Sequence, residues 1–346
     1  MEKIYLDILK KYSNYNLDWE SLRNKSIMIS GVTGLIGRFF TDLIMEKNIT
    51  DGLNCTIVGL CRNIDKANEI FHEYENNNNL VLFNQDVTKK INYKDRVNYV
   101  IHAASNTHPI QYATDPIGTI KTNVYGTNNL LEYSKDKKVD KFILLSSFEV
   151  YGKVDEVEKI GEKDFGIVDC TIPRSCYPES KRLSESLTIG YSTQENVNVS
   201  IVRLSRVFGP TMLLSSSLAT AQFIKNALDN QDIVLKSDGM QLYSYNYVGD
   251  AVTAILTVML KGLDKEAYNV SDESYDLRLG DFAQLVSDYN NKSVVYDLPN
   301  EVEKSGFSNS TMTVLDSKKI KELGWKPLGN IKSDIKDTIN VLKLTN

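Results

Sequence analysis

The stretch that most narrows what this chain can fold into is SIMISGVTGLIG, residues 26 to 37. An apolar run of strand length enters Gly31, Gly34 and Gly37, the last of which opens a helical pattern, GRFFTDLIMEK, before a second strand-like run, CTIVGLC. Strand, tight turn, helix and strand make a βαβ unit, whose crossover sets the two strands parallel. Glycines at this spacing permit the turn, let backbone approach a pyrophosphate, and let helix pack closely on strand. The free N–H groups of the helix amino end face the anion. Gly31, Thr33, Gly34, Leu35, Ile36 and Gly37 are therefore candidate cofactor-binding residues.

The punctuation continues. VLFNQDV (81 to 87), VNYVIHAAS (97 to 105), KFILLSS (141 to 147) and VSIVRLS (199 to 205) are separated by helical stretches such as GTIKTNVYGTNNLLEYSKDKK. This alternation predicts an α/β fold with a mostly parallel, doubly wound sheet. Past Gly209 and Pro210 the order changes to helices with short strands, DIVLK, AYNVSD and SVVYDL, which predicts a smaller region closing over the first. The expected division is an extension at 1–25, a dinucleotide-binding domain at 26–205 to which 241–262 returns, and a mainly substrate-binding region at 206–346. The extension suits an amphipathic helix without chemistry of its own.

Composition excludes several classes. Forty-five acids against 40 bases leave a formal charge of -5, which disfavours a nucleic-acid partner. Cys55, Cys61, Cys170 and Cys176 lack CxxC pairing, and His72, His102 and His108 make no metal-ligand pattern with them, so we expect no metal and a reduced, cytoplasmic chain. No apolar run approaches the length of a membrane span.

SCYPESKRLSE, residues 175 to 185, places Tyr177 four residues ahead of Lys181. That spacing puts both on one helix face, where an ammonium would stabilise a phenolate and pull its pKa below the usual value of about 10. The pair reads as a base. A YxxxK string is common, and it gains meaning here from the glycine loop and from LLSSFEVYG at 144 to 152.

Together these motifs resemble the extended short-chain dehydrogenase/reductase family, over residues 25 to 327, with a Rossmann-type sheet and a smaller C-terminal substrate region. PRSCYPESKRLSE, DPIGTIKTNVYGTNNLLE, SSFEVYG, FGPTM and LGWKP look most like its nucleotide-sugar branch, and within it UDP-glucuronate decarboxylases. The resemblance implies an enzyme that oxidises a sugar C4 hydroxyl with bound nicotinamide and returns the hydride. It assigns Tyr177 as base, Lys181 to the nicotinamide ribose, and Ser147 to the reacting hydroxyl. Asp86 and Val87 would sit beside the adenine, Ala103, Ala104 and Ser105 would line the pyrophosphate and ribose, and Asn123 would join them; His102 would be structural. Cys61 stands where the family often has a ribose-binding Asp, and Arg62, next to Asn63, suits a 2′-phosphate, so NADP is favoured over NAD. Relatives commonly form homodimers through the YxxxK helix and the one preceding SSFEVYG.

The departures restrict the reaction. Dehydratases of this branch show Thr-Asp-Glu where this chain has Ser147-Phe148-Glu149, so simple 4,6-dehydration is disfavoured. Glu149 is left as a candidate catalytic residue, an acid/base or orienting carboxylate that assists the second step, or equally as a salt-bridged structural acid. Arg206 stands where relatives often carry Asn, and Tyr243 where they carry Arg; we expect Arg206 to bind the diphosphate, with Phe148 and Tyr243 beside it. Decarboxylation of a nucleotide uronic acid is the first expectation, 4-epimerisation the second, and a net C4 dehydrogenase or reductase the third. A catalytically idle, cofactor-sensing protein on the same fold would be expected to lack one of Ser147, Tyr177 and Lys181.

Overall fold

A computed structural model describes residues 1–107, 109–154, 157–297 and 312–345. The chain starts with helix α1 (Lys3–Ser13), then β1 (Ser26–Ser30), α2 (Leu35–Asp51), β2 (Thr56–Cys61), α3 (Ile64–Ile70) and β3 (Leu80–Asn84). There follow β4 (Tyr99–His102), α4 (Pro109–Thr114), α5 (Pro116–Lys137), β5 (Lys141–Ser147), α6 (Cys176–Glu195) and β6 (Val199–Leu204). Next are β7 (Arg206–Phe208), α7 (Ala219–Leu228), β8 (Ile233–Leu235), β9 (Leu242–Tyr247), α8 (Val248–Lys261), β10 (Glu266–Val270) and β11 (Asp276–Arg278).

The main sheet has seven strands in the order β10-β6-β5-β4-β1-β2-β3, all parallel. Helices on both faces explain why its strands read as continuous apolar runs. Side chains still alternate: Ile27, Ile29, Ile143 and Leu145 enter one core with Phe39 and Phe40 of α2, while Met28, Phe142 and Leu144 enter another with Leu130 and Leu131 of α5. The strand order turns back between β1 and β4, and a doubly wound sheet places its ligands at the carboxyl ends of strands beside such a switch.

Two details differ from the expected division. AYNVSD, assigned above to the substrate region, supplies β10, which joins the main sheet beside β6. LYSYNY, the front of the 241–262 stretch expected to return to the dinucleotide-binding domain, forms β9 of a second sheet, pairing with β7, β11 and Met312–Thr313, while α8 behind it packs on β5 and β6. Short apolar runs of equal length carry no mark of which sheet they join, so tertiary pairing decides.

The N-terminal segment is part of the packed body. Tyr5, Ile8, Leu9 and Tyr12 form the buried stripe of α1. The Tyr12 ring meets Phe39 of α2 at 5.9 Å and Tyr247 at 6.0 Å. Tyr5 donates to Asp42, and the Tyr15 hydroxyl accepts the Lys326 N–H at 2.8 Å, so the segment is tied both to α2 and to the C-terminal stretch.

Candidate active site

The glycine turn is shaped by contacts that no side chain would survive. Gly31 has φ +71°, and a Cβ there would lie 2.9 Å from the Ala104 Cα; one at Gly37 would lie 2.4 Å from the Gly31 carbonyl oxygen. Gly34 is the N-cap of α2, with Leu35, Ile36 and Gly37 forming its first turn and Thr33 just ahead. Across the turn, the Ser30 hydroxyl accepts the Ala103 and Ala104 N–H groups, each at 3.1 Å, and meets His102 Nδ1 at 2.8 Å. With both lone pairs in use, Ser30 gives its own proton to Nδ1. Burial, then Lys181, pushes His102 down to about 3, so this ring stays neutral and structural. A cradle held open on one side by glycines and on the other by pinned backbone fits a dinucleotide pyrophosphate.

Around it, Arg62 is exposed at the end of β2, and Asn63 caps α3 by accepting the Lys66 N–H at 2.9 Å. Asp86 accepts the Thr88 N–H at 2.8 Å, and the buried Val87 gives its carbonyl to Asn129. Asn123, expected at the cofactor, lies buried between α5 and α6. Its amide accepts from Ser105 at 2.7 Å and donates to Ser180 at 2.8 Å, tying the pyrophosphate side of the cleft to the turn that bears Tyr177.

Ser147, Tyr177 and Lys181 converge at the carboxyl end of β5, all buried. Ser147 caps the 3₁₀ turn Phe148–Tyr151 through the Glu149 N–H, and Lys181 Nζ donates to the Leu145 carbonyl at 2.9 Å. The electrostatics differ from the expectation of a lowered tyrosine. Burial, and then Glu149, pushes the Tyr177 phenol up, with the Ser147 hydroxyl acting the other way. Burial also pushes Lys181 down, to about 8. The ammonium is 5.9 Å from the phenol ring and committed to a carbonyl, too far to outweigh desolvation of the hydroxyl.

Two residues that spacing did not reveal complete the site. Tyr112 of α4 stacks on Tyr177 with ring centroids 4.7 Å apart and planes 19° apart. Arg174 takes both oxygens of Glu149, at 2.8 and 2.9 Å, and stands 5.9 Å from the Tyr112 ring. Glu149 is thus ion-paired, with both carboxylate oxygens bonded. Arg174 lies within PRSCY, whereas nothing in HPIQYAT marks Tyr112. On the far side of Phe148, the Arg206 guanidinium lies 4.3 Å from the Phe148 ring and 3.4 Å from the Tyr243 ring.

Comparison with known proteins agrees with this picture. The family described as NAD dependent epimerase/dehydratase matches residues 27–271. UDP-glucuronic acid decarboxylase 1 of Danio rerio is 30% identical over 346 residues, 98% of this chain and 77% of that protein. UDP-glucuronic acid decarboxylase 1 of Xenopus tropicalis is 34% identical over 240 residues, 68% of this chain, and the match spans about half of that protein, 53%. Among solved structures, a UDP-glucuronic acid 4-epimerase from Bacillus cereus in complex with UDP-glucuronic acid and NAD superimposes with a TM-score of 0.79 at 20% identity, covering 93% of this chain and all of that one (100%). An epimerase from Methanothermobacter thermautotrophicus gives 0.82 at 19%, covering 94% of each chain. At these identities the structures establish the fold.

Proposed function

The chain belongs to the NAD dependent epimerase/dehydratase family, and from that premise we propose that it oxidises a nucleotide-linked uronic acid at C4, with decarboxylation as the outcome. The observation that carries the reading is the buried meeting of Ser147, Tyr177 and Lys181 beside the glycine cradle. A bound nicotinamide supplies the acceptor for the C4 hydride and the donor that restores it. Tyr177 takes the hydroxyl proton, Ser147 holds the oxygen, and Lys181 contributes charge under the ring. The cofactor would be held by the glycine turn, Ala103, Ala104, Ser105 and, through Ser105, Asn123, with Asp86 and Val87 at the adenine.

A ketone at C4 makes the substrate a β-keto acid: the bond from C5 to the carboxyl carbon breaks, carbon dioxide leaves, the electron pair passes to the C4 oxygen as an enolate, and C5 takes a proton from water before the hydride returns, with no hydroxyl to expel. That chemistry suits a site where Phe148 occupies the place next to Ser147. Glu149, with both oxygens bonded to Arg174, serves here to orient. The same ion pair favours one second reading, 4-epimerisation, which needs the keto intermediate to turn over but no proton donor at C5. The 34% and 30% identities to UDP-glucuronic acid decarboxylases support the first. Incubation with UDP-glucuronic acid, followed by mass and NMR, separates them: a product lighter by one carbon dioxide is expected, an isomer supports the second, and no reaction overturns both.

For the cofactor, Arg62 at the end of β2 supports NADP over NAD. Arg62→Ala should weaken NADP far more than NAD in a binding titration, and equal effects would overturn this. We also propose a homodimer through α5 and α6, whose Ile117, Ile120, Tyr125 and Leu183 are exposed, to be checked by light scattering. Four unpaired cysteines support a reducing compartment.

A further inference from the structure

Arginines on this side of the sheet are answered by carboxylates, with one exception. Arg203 takes both oxygens of Glu185, at 3.0 and 2.7 Å, and Arg174 takes both of Glu149. Arg206 pairs with no acid among the described residues; its partners are the Phe148 and Tyr243 rings. Glu149, the acid whose charge reaches Arg206, is already bonded to Arg174, so among the described residues these three side chains carry one net positive charge.

The geometry says how that charge is offered. A guanidinium has two faces and an edge, and its N–H donors all lie in the plane. Here two rings lie within cation–π range of the guanidinium carbon, and among the described residues no hydrogen bond engages its N–H donors. The clamp is rigid from three sides. Phe148 opens the 3₁₀ turn that Ser147 caps, Arg206 is the first residue of β7, and Tyr243 is in β9, which pairs with β7. Arg206 lies opposite Tyr245 in that pairing, and Tyr243, two residues back, projects from the same face. The side chain keeps some contact with solvent, so the edge is reachable.

We propose that Arg206 is a clamped fork that receives, edge-on, an oxyanion of the substrate, supplied by the sugar carboxylate or by the diphosphate. The position suits either source: Phe148 directly follows Ser147, so the fork opens within a sugar's reach of the hydroxyl-binding end of β5. Planar donors held in one orientation match the paired oxygens of a carboxylate or phosphate, and the ordering of a flexible arginine is already complete before the ligand arrives. The charge that meets the oxyanion thus resides in a strand of the second sheet. This inference rests on the nucleotide-sugar reading above.

The test titrates UDP, UDP-glucose and UDP-glucuronic acid, with saturating cofactor, into the wild type, Arg206→Met and Arg206→Lys, alongside unliganded melting curves. Methionine keeps an unbranched side chain between the rings and removes the charge. The expected result is an unliganded melting temperature within about 3 °C of wild type, since no ion pair is broken, with affinity reduced at least about tenfold. Lys, which keeps the charge and loses the fork, should recover only part. A loss confined to UDP-glucuronic acid assigns the fork to the carboxylate; an equal loss for all three assigns it to the diphosphate. Unchanged affinities, or a melting temperature that drops while affinities hold, overturn the proposal in favour of a structural arginine. If wild type binds none of the three, the nucleotide-sugar reading is what fails. Inorganic pyrophosphate and free glucuronate then probe the fork alone, and identical binding of both by wild type and Arg206→Met overturns it.

Discussion

A phenol and an ammonium taken out of water are both pushed toward their neutral forms, which moves Tyr177 up and Lys181 down to about 8. At neutral pH Lys181, at about 8, keeps most of its positive charge while the phenol stays protonated, and the positive charge that an oxidised nicotinamide would bring is of the sign needed to favour phenolate. Tyr177→Phe, which removes one hydroxyl and keeps the stack on Tyr112, should cut turnover by about two to four orders of magnitude while cofactor binding persists; a stopped assay with a parallel binding titration checks both. Glu149→Gln should strip the Arg174 pair of its charge and lower stability by about 3 kcal/mol in a denaturant titration, with no build-up of reduced nicotinamide. A stable variant that instead accumulates reduced cofactor would return Glu149 to the acid/base role. Ser147 was singled out by the family resemblance of SSFEVYG, and that Tyr177 and Lys181 share one helix face was legible in their spacing. Arg174 against Glu149, and Tyr112 against Tyr177, were not, since each meeting depends on how a loop or a short helix returns over the sheet end.

At the scale of elements, α1 shows why an expected amphipathic helix said little about its partners. Periodicity gave the buried stripe, but the close approach of α1 to α8 depends on Gly249, where a Cβ would lie 2.3 Å from the Tyr12 ring. Gly249→Ala should cost about 1–3 kcal/mol by overpacking. In a Tyr12→Ala background, itself about 3–5 kcal/mol less stable, the same change should become favourable by up to about 1 kcal/mol, because alanine is the better helix former once the ring is gone. A double-mutant cycle by denaturant unfolding reads this directly, and additive effects would show that the two helices do not share the contact. The parallel run from β1 to β6 was predictable from alternation of strand and helix patterns. The place of β10 was not, because the sequence between β6 and β10 looks like a separate region when only its helices and short strands are read.

For the whole molecule, the two ends of the chain meet around α8, where buried Asp250 accepts the Leu328 and Gly329 N–H groups at 2.7 and 3.0 Å. Burial raises Asp250 to about 7, with the Leu328 hydrogen bond opposing and Asp334 adding; Asp334 is itself raised by burial to about 6. A carboxyl raised above its unfolded value of 3.8 adds stability that is complete below 3.8 and is lost as the pH climbs toward 7. The melting temperature of wild type relative to Asp250→Asn should therefore fall between about pH 4 and pH 8. A pH-independent difference would show that Asp250 stays ionised throughout.

The chain passes from the main sheet to the second one twice, from neighbouring strands: β6 passes through Ser205 alone into β7, and β10 passes through a short turn into β11, with β7 and β11 both paired to β9. A third tie is β9 itself, which runs directly into α8 against β5 and β6, so the small sheet is anchored on the large one at three points. Arg206 is the first residue past one of these junctions, so an anion seated on its fork would sit where the small sheet springs from the large one.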